Sequence, residues 1–153
     1  MSARLRWAAL IALACGCAFM PPSVSVPPRE MSAALTAWRQ AGLPAGDCLS
    51  TARDVRKVLA DPSLVTELCR APKGVYAGCY TVLGGGFLGV LGSQPAIIIG
   101  EAYDTTQLDE HELTHWLAVC SGYDPTGDSN HRDPLLWGPG GTKERAIDLA
   151  LAM

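Results

Sequence analysis

His111-Glu112-Leu113-Thr114-His115 constrains this chain more than any other stretch. The pattern is H-E-x-x-H. On a helix, residues four apart stand on one face, so the two imidazoles can reach one metal ion; on a strand they would lie about 13 Å apart. Glu112 cannot easily bind the same ion, because it points off to one side. It can take a proton from a water held at that ion and pass it on. The stretch is therefore expected to be helical, with one flank clear of the core. The chain has three histidines, and the third, His131, follows in the same short region.

A zinc ion that performs hydrolysis takes three protein ligands and keeps a fourth position open. His131 is the preferred third ligand, because the loop after Gly122 is long enough to fold back across the gap. Glu144 is the rival, and Asp124 or Asp128 is a lesser one. Without a metal, the two histidines would merely decorate an amphipathic helix. That plain account leaves unexplained why a capped helix, following a strand, has the only other histidine just downstream.

The remaining chain fits one exported domain. Arg4 and Arg6 precede the apolar run Trp7–Ala14, and Cys15, Gly16 and Cys17 follow. This is the anatomy of a signal segment over residues 1–17, too short to span a membrane as a mature helix. A cysteine at the boundary resembles the bacterial lipoprotein signal, which would place a lipid on Cys15 or Cys17. Residues 18–29, with four prolines, are expected to be an extended spacer. The expected location is the cell envelope, lipid-anchored, or outside the cell. Cys48, Cys69, Cys79 and Cys120 then form an even set suited to two disulfides, with three possible pairings. A formal charge of −3 and the lack of any Lys/Arg run exclude a nucleic-acid surface. Nothing in the chain speaks to its oligomeric state.

Over residues 30–153 the patterning predicts an α+β fold. Met31, Ala34, Leu35 and Trp38 mark a helix over 30–41, closed by Gly42, with Trp38 as a core anchor. A second helix is expected over 50–59, with Arg53, Arg56 and Lys57 on its solvated side. Asp61-Pro62 reads as an N-cap with a first-turn proline, opening a short helix to Cys69. Val75–Leu83 reads as a strand, the glycines from Gly84 to Gly92 as a turn or hairpin, and Pro95–Gly100 as a second strand. Asp104 with Gln107 forms a capping-box pattern for the motif helix, which Gly122 ends. A last helix is expected from Thr142, with Ala146, Ile147 and Ala150 inward.

Strand, short loop and "HELTH" helix resemble the core of the zincin metallopeptidases, from Pro95 to the C-terminus. The resemblance implies a small mixed sheet packed on the motif helix, with additional N-terminal and C-terminal helices around it. It implies Zn2+ on His111, His115 and His131, Glu112 as the general base, and a polypeptide substrate pairing with an edge strand at "PAIIIGEAY". Ala118 and Ser121 stand where the metzincin pattern needs Gly and His, so that branch is excluded. "KERAIDLA" is similar to the gluzincin helix, which would make Glu144 a ligand and Asp148 its support; with His131 as ligand, Asp148 or Asp133 would steady a histidine. Tyr103 and Tyr123 are the candidates for the donor that stabilises the tetrahedral intermediate. The competing function is a non-catalytic envelope lipoprotein with a structural zinc site, acting as a binding module. Such a site is normally closed by four ligands, often cysteines, and has no use for Glu112.

Overall fold

The structure is a computed structural model that describes residues 22–70, 77–84 and 93–153. The signal segment with Cys15 and Cys17, and most of the glycine-rich turn, lie outside the described residues. Ten elements follow in chain order: β1 (Ser23–Ser25), α1 (Pro28–Gln40), α2 (Cys48–Thr51), β2 (Arg56–Ala60), α3 (Pro62–Leu68), β3 (Gly78–Leu83), β4 (Gln94–Gly100), α4 (Thr106–Cys120), α5 (Pro134–Trp137) and α6 (Thr142–Ala152). They form an α+β fold around one four-stranded mixed sheet in the order β1-β2-β4-β3. β2 runs parallel to β4; the outer pairs, β1 with β2 and β3 with β4, are antiparallel.

The core follows from β4. Its run Ala96-Ile97-Ile98-Ile99 is fully buried, and alternate residues face opposite sides of the sheet. Ile97 and Ile99 meet Trp38 of α1, Leu113, Trp116 and Leu117 of α4, and Leu136 of α5. Ala96 and Ile98 meet Val58, Ala60 and Val65 on the other face. A strand covered on both faces reads as a continuous apolar run, and that is why "AIII" lacks alternation. α1 packs along both α4 and α6, so the N-terminal and C-terminal helices jointly back the motif helix.

Several sequence expectations change. The expected 50–59 helix is instead α2, a 3-10 turn over Ala52–Asp54, and strand β2. Short apolar runs such as "VRKVLA" cannot be assigned by period alone, and here the neighbouring β4 supplies a parallel ladder that captures the segment. Lys57 is consequently buried, not solvated: its Nζ donates to Asp104 Oδ1 at 2.5 Å and Asp109 Oδ2 at 2.6 Å. The spacer is shorter than 18–29, since Ser23–Ser25 pair with β2 and Pro28 opens α1. Proline at a first helical turn loses no hydrogen bond, so Pro28 starts a helix where the composition reads as extended.

The cap of α4 is Thr105, whose side chain accepts from Leu108 N; Asp104 is held by Lys57 instead. Asp61 caps α3 as expected, accepting from Ser63 N and Leu64 N. Gly122, at φ +72° in the left-handed region, follows the C-cap Ser121 of α4. Two disulfides are formed, Cys48–Cys120 and Cys69–Cys79, which suit an oxidising, exported environment. Among the described residues no helix is long and apolar enough to cross a membrane.

Candidate metal centre

α4 carries His111 and His115 one turn apart, on the flank that the core does not claim. Its other faces are buried through Leu113, Trp116 and Leu117. After Gly122 the chain turns back, and His131 arrives against them. The three Nε2 atoms form a nearly equilateral triangle: 3.3 Å between His111 and His115, and 3.1 Å from His131 to each. A tetrahedral zinc with Zn–N bonds near 2.05 Å would separate its nitrogens by about 3.3 Å. The triangle therefore has the size of one face of such a tetrahedron. These three residues could hold a metal ion, and no carboxylate or thiol joins them as a further ligand among the described residues.

The tautomers are compatible with that use. His115 Nδ1 faces the Gly127 carbonyl at 2.5 Å, so it carries the proton and leaves the Nε2 lone pair directed at the triangle. Burial lowers the pKa of His111 to about 3, reinforced by the neighbouring imidazoles and Lys143. Burial also lowers His115, against the Gly127 hydrogen bond, and lowers His131, against the attraction of Asp128. All three shifts favour the neutral imidazole, the form that donates to a metal.

Glu112 is buried, and only one of its oxygens has a partner: Oε2 is orphaned, while the carboxylate accepts from the Tyr80 backbone N–H. Desolvation raises its pKa to about 8. The contact with β3 follows from the ladder. Gly100 N donates to Ala77 O, so the alternating pattern turns the N–H groups of Gly78 and Tyr80 away from β4. The Tyr80 N–H on that outer side is the one Glu112 meets. Gly78 is a glycine for the same reason, since a Cβ there would lie 2.7 Å from Ile98 O and 3.2 Å from Glu112 Oε1.

The strand bordering the site is thus β3, not "PAIIIGEAY". β4 lies inside the sheet between β2 and β3, so it has no edge to offer. β3 is the terminal strand, and Gly78, Cys79 and Tyr80 line a cleft of about 470 Å3 with His111, Glu112, His115 and His131. Reading "AIIIG" as an edge failed because a strand's place in a sheet depends on which partners arrive, and β2 was not recognised as one.

The rival ligands are elsewhere. Glu144 is exposed and accepts from Gly140 N; Asp148 is also exposed. Asp124 accepts from Thr126, and Asp128 from Arg132 N, Asp133 N and Trp137 Nε1. Asp133 caps α5 and accepts from the Tyr123 hydroxyl at 2.6 Å, so neither it nor Asp148 supports a histidine. Tyr103 and Tyr123 do not line the cleft, whereas Tyr80 does. Tyr80 escaped the sequence reading, in a segment read only as strand. Trp137, in the apolar "LLW" that follows His131, has its ring centroid 4.5–4.8 Å from each imidazole. Compared with known proteins, the chain matches no family model, no curated protein and no solved structure.

Proposed function

We propose that the protein is a zinc-dependent hydrolase, a peptidase of zincin type, acting on polypeptides in the cell envelope or outside the cell. The observation that carries this reading is the sharing of one cleft by three convergent imidazole nitrogens and a buried carboxylate with an orphaned oxygen. A closed structural site would have no use for that carboxylate, nor for a cleft beside it. Zinc, when bound, would acidify a water and polarise a carbonyl.

The chain's own residues supply the rest. Glu112 takes the proton of the attacking water and returns it to the leaving amine. The outward-facing backbone of β3 offers a substrate a strand to pair with, and the Tyr80 side chain offers a phenolic donor. A lipid on Cys15 or Cys17 would tether the domain to a membrane.

The test is Glu112→Gln. The variant should hold one zinc per chain, as the wild type does, and lose at least a hundredfold in cleavage of an unfolded protein substrate, which is the scale of general acid–base catalysis. Wild-type protein that binds no zinc, or a variant that cleaves at the wild-type rate, would end the peptidase reading.

A further inference from the structure

His131 reaches the other two histidines from a backbone that resists being there. Asp128 and His131 have φ of +48° and +52°, in the left-handed region that side chains with a Cβ seldom occupy. Two such residues within four positions are strained and persist only where the surroundings overdetermine them. The surroundings here are specific. Asp128 Oδ2 accepts from Asp133 N at 2.7 Å and Oδ1 from Arg132 N at 3.2 Å, while His131 N donates to the Asp128 carbonyl at 2.8 Å. These bonds close the turn on itself, but they do not say where in space it sits. Two further bonds do: His115 Nδ1 donates to the Gly127 carbonyl at 2.5 Å at the start of the turn, and Trp137 Nε1 donates to Asp128 Oδ2 at 2.8 Å beside His131.

Trp137 is well placed to hold that turn. Its helix α5 is anchored by Leu136, which is fully buried in the core, and by Thr142, whose hydroxyl donates to the Leu135 carbonyl. The indole then spans from this anchor to the imidazoles, in ring contact with all three. The same turn carries Gly127, whose carbonyl fixes the His115 tautomer.

We propose that Trp137 is a positioning residue of the metal centre: its hydrogen bond to Asp128 holds the 128–133 turn where it delivers His131 to His111 and His115. This rests on the metal-site reading above and adds a residue that touches no ligand atom. The indole face packs the imidazoles, but it is the Nε1–H donor that sets the third ligand's place.

The experiment is a mutant cycle on the whole protein, read as zinc affinity by chelator competition. Trp137→Phe keeps an aromatic ring against the imidazoles and deletes only the donor. It is expected to weaken zinc by about 10–100-fold, the range for partners outside the ligand shell. In a His131→Ala background, Trp137→Phe should change affinity less than threefold, since there is no third ligand left to place. Equal losses with and without His131, or an unchanged affinity for Trp137→Phe, would overturn the assignment. Wild-type protein without zinc affinity would remove the metal site itself, a distinct failure. Should Trp137→Phe fail to fold, Trp137→Leu, which also lacks the donor, carries the same comparison with His131→Ala.

Discussion

Glu110 stands between the capped start of α4 and its first histidine, and it is turned inward. It is fully buried, and neither carboxylate oxygen has a partner. Burial raises its pKa to about 8, with the negative charges of Glu30 and Asp109 adding to the effect. The side chain is therefore a neutral acid in the core at neutral pH, and it must lose that proton against the protein as the pH rises. Glu110→Gln is neutral at every pH. The variant should match the wild type in urea unfolding near pH 5 and exceed it near pH 9. Equal midpoints at both would contradict the buried-acid assignment. The histidines show what could be read at this scale. His111 and His115 were legible because helical spacing alone puts them together. His131 could be nominated but not placed, since its arrival depends on two left-handed residues, Asp128 and His131 itself, and on the Trp137 hydrogen bond to Asp128.

At the scale of elements, legibility followed length and capping. α1, α3, α4 and α6 have their expected type because their caps, first-turn prolines or long periodic faces are local signals. β2 was lost because five residues carry no decisive period, and with it went the order of the sheet. Lys57 shows how β2 is tied to α4. It bridges Asp104, ahead of α4, and Asp109, in its first turn. Burial alone would lower its pKa, but the hydrogen bonds and charges of the two aspartates outweigh that and leave it raised. Lys57→Met would strand Asp109 as a buried acid without a cation. Removing one partner of a buried pair costs about 3–5 kcal/mol, which should appear as a lowered urea midpoint. A loss below about 1 kcal/mol would mean that the pair behaves as a surface bridge.

For the whole molecule, the ionisable groups pull in opposite directions. His111 ionises at about 3 in the fold and at 6.5 in an unfolded chain, so the unfolded state gains protons first and stability falls as pH drops through that interval. His115 and His131 act in the same sense. Glu110 and Glu112 are raised from 4.5 to about 8, so the folded state holds protons longer and stability falls as pH rises from 4.5 through 8. Chelator-treated protein should therefore be most stable in mildly acidic solution, between these limbs. Urea midpoints measured from pH 4 to pH 9 would show it, and a maximum at or above pH 8 would refute it. Zinc should raise the midpoint where the imidazoles are neutral, by mass action on the folded state.

The two disulfides are nested, with Cys69–Cys79 inside the span from Cys48 to Cys120. The span encloses β2, β3, β4 and the helix bearing His111 and His115. A backbone cut anywhere between Cys48 and Cys120 therefore separates nothing. Under the proposed peptidase function this bears on the protein's own survival: a molecule nicked once in that span by another copy stays in one covalent piece, and its two parts do not separate while the outer bond is intact.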